Sequence, residues 1–246
     1  MRRPMIVAHR GASCLAHENT VAAFAKAIAL GADMIELDVR RTKDRVLIVY
    51  HDPDIGGRPI GQLTHREAND LAAARNFVIP ALEEVLALTR GKIRLDAELK
   101  ETGYEREVVG LILKYFKYGD FVITSFHGSV ITAVRKSFPA VKTGLVLGWG
   151  QPLLPLLCGW LQLFVGIAPR KSGAAFWALQ YSLLKFGLLQ RLSRRHQTVY
   201  LWTVDKPGLL AKFLADRRIQ AVITNKPDLA IAIYQRRHAP SGIWGH

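Results

Sequence analysis

The chain has 246 residues, half of them hydrophobic, with 34 lysines and arginines against 20 acids and a formal charge of +14. That length and apolar content suit one large domain, while two lone cysteines, Cys14 and Cys158, argue against a disulfide framework or a cysteine-held metal. The cations are dispersed in short groups (Arg191, Arg194, Arg195; Arg236, Arg237) without a nucleic-acid motif, which leaves a solvated surface that speeds encounter with anionic substrates.

The opening MRRPMIVAHRGA is basic, but its apolar run is too short for a signal peptide, so a cytoplasmic location is expected. Met5–His9 reads as a strand with a polar tip of His9, Arg10 and Gly11. Asn19 or Thr20 can cap a helix over Val21–Leu30, where Val21, Phe24 and Ile28 recur at helical spacing and Gly31 stops the run. Met34–Asp52 then reads as two strands joined by a turn centred on Lys43–Asp44. Alternation puts Glu36 and Asp38 on one face, about 7 Å apart. Such a turn lays His51 roughly opposite Glu36 on the returning strand.

Residues 53–76 form a polar excursion with helical periodicity only near Thr64–Ala74. Pro80 opens a helix whose face is Leu82, Val85, Leu86 and Thr89, and Gly91 ends it. Ile93–Lys100 is a second charged strand, with Leu95, Ala97 and Leu99 on one face and Asp96, Glu98 and Lys100 on the other. Parallel strands covered on both sides normally read as continuous apolar runs, so carboxylates here demand an explanation. Next come a helix over Glu105–Tyr118, a strand over Phe121–Ser125, a helix from about Ser129 to Phe138 and a strand over Thr143–Leu147. A vaguer strand near Trp177–Tyr181 precedes a strand over Val199–Val204, a helix over Pro207–Arg217, a strand over Ala221–Thr224 and a last helix over Pro227–Gln235.

Strand and helix thus alternate about eight times, the pattern of an α/β fold closed as a (β/α)8 TIM-type barrel with a hairpin arm at Val46–His51. One domain, 1–246, is expected, with a short insertion at 53–78 after the hairpin and an apolar excursion at 151–172. In this architecture chemistry sits at the carboxyl ends of strands, where His9, Asp38, Glu98 and Trp202 fall. Glu36, Asp38 and Glu98 are three hard oxygen donors, suited to Mg2+ or Ca2+ rather than zinc. The bland alternative pairs these acids with Arg40 and Arg94. His9 and His51 titrate near neutrality, and Arg10 and Lys100 add positive charge. Together these groups match the needs of a phosphodiester: charge offset on the phosphoryl oxygens, one imidazole to remove a proton and one to supply it.

HRGA (His9–Ala12), HENT (His17–Thr20), GADMIELDV (Gly31–Val39), YHD (Tyr50–Asp52), ELK (Glu98–Lys100), TSF (Thr124–Phe126), WTVD (Trp202–Asp205) and ITNKPD (Ile223–Asp228) occur in this order. In these motifs, from Ile6 to Asp228, the sequence resembles the glycerophosphodiester phosphodiesterase family. The resemblance implies a TIM-type barrel, one divalent cation (Mg2+ or Ca2+), and hydrolysis of glycerophosphodiesters to sn-glycerol 3-phosphate and an alcohol. It implies Glu36, Asp38 and Glu98 as ligands, His9 and His51 as the acid/base pair, and Arg10 and Lys100 on the phosphate. Glu18 and Trp202 are further substrate-binding candidates. Glu18 reads equally as a group that orients Arg10 or a histidine and as a first-turn helix charge, and Trp202 equally as pocket lining and as core. Cys14 is expected to be inert.

Three departures stand out: His17 where the family shows Pro, only some 27 residues between His51 and Ile79 where a longer subdomain is usual, and the apolar stretch Leu153–Ala168. That stretch has 16 residues, two glycines and an internal Pro155, short of the roughly 20 needed to span a bilayer. A buried excursion helix is its plain reading. The sharper one is a peripheral membrane contact through 153–171, with Arg170 and Lys171 meeting anionic lipid. The short insertion and this stretch motivate an alternative, lysophospholipase D or sphingomyelinase D-like cleavage of a lipid by the same site.

Overall fold

The structure, a computed structural model, describes residues 3–148, 173–184 and 187–238. The expected excursion at 151–172, with Leu153–Ala168, Cys158, Arg170 and Lys171, lies outside them. Eight parallel strands close on themselves: β1 (Met5–His9), β2 (Met34–Arg41), then, after a side hairpin and insertion, β6 (Arg94–Leu99), β7 (Phe121–Ser125), β8 (Lys142–Leu147), β9 (Phe176–Gln180), β10 (Thr198–Trp202) and β11 (Ala221–Thr224). β1 bonds to both β2 and β11, which completes the (β/α)8 barrel expected from the alternation. Around it run α1 (Val21–Leu30), α3 (Leu82–Thr89), α4 (Glu105–Tyr115), α5 (Gly128–Ser137), α6 (Leu188–Arg194), α7 (Pro207–Leu214) and α8 (Pro227–His238). None of the described helices is long and apolar enough to cross a membrane.

Alternation within each strand divides two cores. Ile35, Leu37 and Val39 of β2 and Leu95, Ala97 and Leu99 of β6 face outward, packed with Phe24 of α1 and Leu82, Val85 and Leu86 of α3. The barrel interior holds Val7, Met34, Val122, Val146, Phe176 and Tyr200. Each fully buried aliphatic or aromatic side chain of this kind contributes about 1.5–3 kcal/mol relative to exposure. Gly144 is a fitting point of that interior, because a Cβ there would stand 2.2 Å from the Phe176 ring. Its absence lets Phe176 stack on Tyr200 with centroids 4.2 Å apart.

Local chemistry sets the element ends. Thr20, not Asn19, caps α1 by accepting from the Ala23 N–H, and Gly31 ends it at φ 79°. α4 stops at Tyr115, three residues earlier than the apolar pattern suggested, because Phe116 turns extended and the chain reverses through Gly119 at φ 94°. α7 stops at Leu214, since the Asp216 side chain accepts from the Arg218 N–H and organises a turn. α8 runs on to His238.

The hairpin arm β3 (Leu47–Val49) corrects one expectation. Arg45 donates to Thr42 across a turn that does centre on Lys43–Asp44, but Arg45 itself adopts φ 65° and adds a residue to the loop. Val39 therefore pairs with Val49. Continued, that register puts His51 level with Leu37 rather than Glu36. The ladder ends first, and His51 leaves it free of the strand's alternation. The insertion that follows builds a small core of its own. β4 (Asp54–Ile55), β5 (Arg58–Pro59) and α2 (His65–Ala73), which Thr64 and Glu67 start with a capping box, bury Ile55, Ile60, Leu63, Ala72 and Phe77 against Ile48 and Tyr50.

Candidate active site

Three adjoining strands bring the chemistry to one mouth of the barrel. Parallel pairing sets His9 beside Glu36, Glu36 beside Asp96, and Asp38 beside Glu98. Residues two apart in a strand share a face, so β2 and β6 each aim two carboxylates inward. One oxygen from each of Glu36, Asp38 and Glu98 lies within 4.8 Å of the other two. His9, Arg10, Glu36, His51, Glu98, Lys100 and Trp202 all line a cavity of about 230 Å3. Asp38, only 1% exposed, lies just behind that wall and meets it through Arg10 and Lys100. Neither Arg40 nor Arg94 reaches these acids: Arg40 pairs with Glu101, and Arg94 bonds to Met5 Sδ and the Gly119 carbonyl.

The three carboxylates differ in their partners. Asp38 accepts from Asn19 Nδ2 at 2.8 Å, and Lys100 Nζ lies 2.9 Å from its other oxygen. Arg10 Nε stands 3.2 Å away, an ion pair without hydrogen-bond alignment. Burial would raise Asp38, but Lys100, Arg10 and His51 outweigh it and hold the carboxyl down at about 2. Glu36 accepts from the Arg10 N–H through Oε2 at 2.9 Å, while its buried Oε1 has no partner. Burial, then the charges of Asp38 and Glu98, push Glu36 well above the usual carboxylate range. Glu98 is also raised by burial, against the pull of Lys100, which bonds to it. A buried carboxylate oxygen left unpaired among other carboxylates is costly unless a cation meets it. With all-oxygen donors, the cluster fits a hard divalent cation.

His9 is held from behind. Its Nδ1 lies 2.7 Å from Asn225 Oδ1, and Asn225 Nδ2 donates to Asp205 Oδ2 at 2.7 Å. That donation fixes the amide, so Asn225 offers an acceptor and His9 carries its proton on Nδ1. Nε2 then faces the site, 3.9 Å from Glu36 Oε2. Burial and the charge of Arg10 push His9 down to about 4, despite its bond to Asn225. On the other side, Tyr50 N–H donates to the Asp38 carbonyl, and Arg40 donates twice to the His51 carbonyl, at 2.9 and 2.7 Å. The His51 ring meets Asp52 through Nδ1 at 2.8 Å.

Glu18 bonds to Arg10 Nη1 at 2.7 Å, so of its two readings the geometry favours orienting Arg10. Trp202 sits on the cavity wall, edge-on to Phe126 at 5.7 Å, with its N–H on the Ala178 carbonyl. Cys14 is exposed, and its partial burial together with Asp228 pushes its thiol up.

Several further residues serve the site in ways that sequence reasoning missed. Asn19 secures Asp38; Asn225 and Asp205 secure His9. Asp96, 1% exposed, accepts from Thr124 Oγ1 at 2.7 Å, and burial pushes it up to about 7. Its place on the charged face of Ile93–Lys100 was the available signal for it.

A sequence profile described as the glycerophosphoryl diester phosphodiesterase family matches residues 9–229. YhdW of Bacillus subtilis (strain 168), provisionally named a glycerophosphodiester phosphodiesterase, is 31% identical over 92% of this chain and 96% of its own. A glycerophosphodiester phosphodiesterase of Caldanaerobacter subterraneus subsp. tengcongensis is 27% identical over 95% of this chain and 99% of its own. A phosphodiesterase from Oleispira antarctica, solved with its product sn-glycerol-3-phosphate, superposes with a TM-score of 0.76 at 18% identity, covering 95% of this chain and 97% of that one.

Proposed function

The chain belongs to the glycerophosphoryl diester phosphodiesterase family, and from that premise we propose that it cleaves glycerophosphodiesters to sn-glycerol 3-phosphate and an alcohol with the aid of one divalent cation. The observation that carries the reading is the meeting of Glu36, Asp38 and Glu98 within 4.8 Å, beside an imidazole with its free nitrogen turned toward them. The product held by the Oleispira relative supports the choice of glycerol 3-phosphate.

Glu36, Asp38 and Glu98 would hold the Mg2+ or Ca2+, whose positive charge would offset that of the phosphoryl oxygens. Arg10 and Lys100 bind and orient the phosphate, with Glu18 fixing the Arg10 fork. His9 accepts the proton of the attacking oxygen at Nε2, the nitrogen its Asn225 bond leaves open, whether water attacks directly or a neighbouring substrate hydroxyl attacks first and water then opens the cyclic phosphate. His51, with Asp52 at its Nδ1, delivers a proton to the departing alkoxide. Trp202 and Phe126 form the apolar wall that excludes water from one side.

The test is an assay of glycerophosphocholine and glycerophosphoethanolamine with Mg2+ and with Ca2+. Absence of turnover with any such diester, despite a bound cation, overturns the reading. A second reading, cleavage of lyso-lipids by the same site, draws on the apolar wall of Phe126, Val146, Ala178, Trp202 and Ile223. Rates on lysophosphatidylcholine and on the soluble diesters decide between them, a strong preference for the soluble ones removing the lipid reading.

A further inference from the structure

The end of the barrel opposite the acidic site carries a larger opening. The segments leading into β2, β6 and β7 enclose a cleft of about 550 Å3 on the amino-terminal face. Four cations line it, Arg90, Lys92, Arg94 and Lys117, against two acids, Asp33 and Asp120. Asp33 is already engaged, pairing with Arg3 and accepting from the Ile6 N–H at 2.7 Å. One carboxylate therefore faces four positive side chains.

Arg94 is the decisive member. The residue is half-buried, its guanidinium bonding to Met5 Sδ at 3.0 Å and to the Gly119 carbonyl at 3.1 Å, and it has no carboxylate partner among the described residues. A cation drawn partly out of water and given only neutral acceptors loses hydration without gaining a counter-charge. An anion in the cleft supplies that charge. The planar fork of Arg matches the paired oxygens of a phosphoryl group. Arg90, Lys92 and Lys117, exposed at the rim, suit a ligand with more than one negative charge, and Tyr115 and Phe116 give the cleft an apolar wall. Its volume falls within the range of small-molecule sites.

We infer that this cleft, floored by Arg94 and flanked by Arg90, Lys92 and Lys117, binds a phosphorylated, multiply charged anion at the end of the barrel away from catalysis. A soluble phosphate ester and the headgroup of an anionic lipid share this chemistry. Tyr118, next to Lys117 in the chain, is 53% exposed, and tyrosine is a side chain that bilayer interfaces favour.

An NMR titration of the 15N-labelled full chain with sodium pyrophosphate tests the inference, read at the amides of Gly91, Lys92 and Gly119. Saturable shifts are expected there, with affinity weakened about ten-fold or more by Arg94→Met. The combined variant Arg90→Ser, Lys92→Ser, Lys117→Ser leaves Arg94 and its packing in place. It should weaken binding similarly while glycerophosphocholine cleavage stays at the wild-type rate. Sedimentation with phosphatidylglycerol vesicles, against phosphatidylcholine controls, separates the sources. Pyrophosphate shifts without sedimentation support a soluble ligand; variant-sensitive sedimentation supports a lipid headgroup. Shifts confined to the His9 and Glu36 end, or neither effect responding to the variants, overturn the inference.

Discussion

Asn225 Oδ1 lies 2.7 Å from His9 Nδ1, joining residues 216 positions apart in the chain. The contact exists because β11 and β1 are the strands whose pairing closes the barrel, Ala8 lying level with Thr224. Asp205 completes the chain by binding both the Asn225 amide and its backbone N–H. The imidazole is thereby given one tautomer before any substrate arrives.

Asn225→Ala should lower kcat by about 10–100-fold, the usual cost of losing the partner that orients a working histidine, with KM much less affected. The ring should also lose its single tautomer, visible as a change in the 15N shifts of His9. Unchanged kcat would show that His9 needs no such partner.

Arg40 plays the matching part for His51. At 8% exposure it donates twice to the His51 carbonyl and pairs with Glu101, tying the loop after β3 to the loop after β6. Arg40→Met strands those acceptors, which should cost about 1–3 kcal/mol in urea unfolding. The kcat should drop with it, because the loop carrying His51 loses its anchor. Arg40→Lys, able to present fewer N–H groups to one carbonyl, should fall between the two.

The legibility of this molecule follows from the range of each interaction. Glu36, Asp38 and Glu98 stood out because carboxylates on covered parallel strands contradict the apolar run such strands require. The eight strands and most of the helices followed from local periodicity, as did the stop at Gly31, but α6, only seven residues long, was too short to show a pattern. The register of the hairpin did not, since it hinges on Arg45 entering the left-handed region, which its side chain does not announce. Asn225 and Asp205 were within quoted motifs, yet their roles depend on barrel closure, a relation between the two ends of the chain. Asn19 looked like a cap for the same reason that it serves Asp38: a short amide can bind a backbone or a carboxylate equally well.

The carboxyl groups set a pH dependence of stability when no divalent ion is present. Burial raises Asp96 to about 7, and Glu36 is also raised. A folded acid with a raised pKa binds protons that the unfolded chain has released, so stability is lost as pH climbs through the folded value. His9, pushed down to about 4, acts in the opposite sense between that value and its ordinary 6.5. Above about pH 6.5 the His9 contribution is complete, and the raised acids set the slope. In EDTA the urea midpoint should therefore fall from about pH 6.5 to 8, and Asp96→Asn should flatten part of the slope. Added Mg2+ or Ca2+ should restore stability at the upper end, by favouring the ionised carboxylates. A midpoint that rises with pH in EDTA would contradict this account.

Lys100 offers the sharpest separation of binding from turnover. Its ammonium bonds to both Asp38 and Glu98, and those two carboxylates keep it charged against the cost of its burial. On the proposed mechanism the same nitrogen would compete with a divalent ion for two of the three carboxylates and would serve the phosphate once substrate is present. Lys100→Met removes the competitor and leaves the acids with less compensation. The expected result is a divalent ion bound at least as tightly as in the wild type by calorimetry, alongside a fall in kcat/KM of about 100-fold, the scale on which a charged contact to a reacting phosphate acts. Loss of ion binding in this variant would instead mean that Lys100 organises the carboxylates rather than opposing the ion. Intact turnover would mean that the phosphate is held by Arg10 alone.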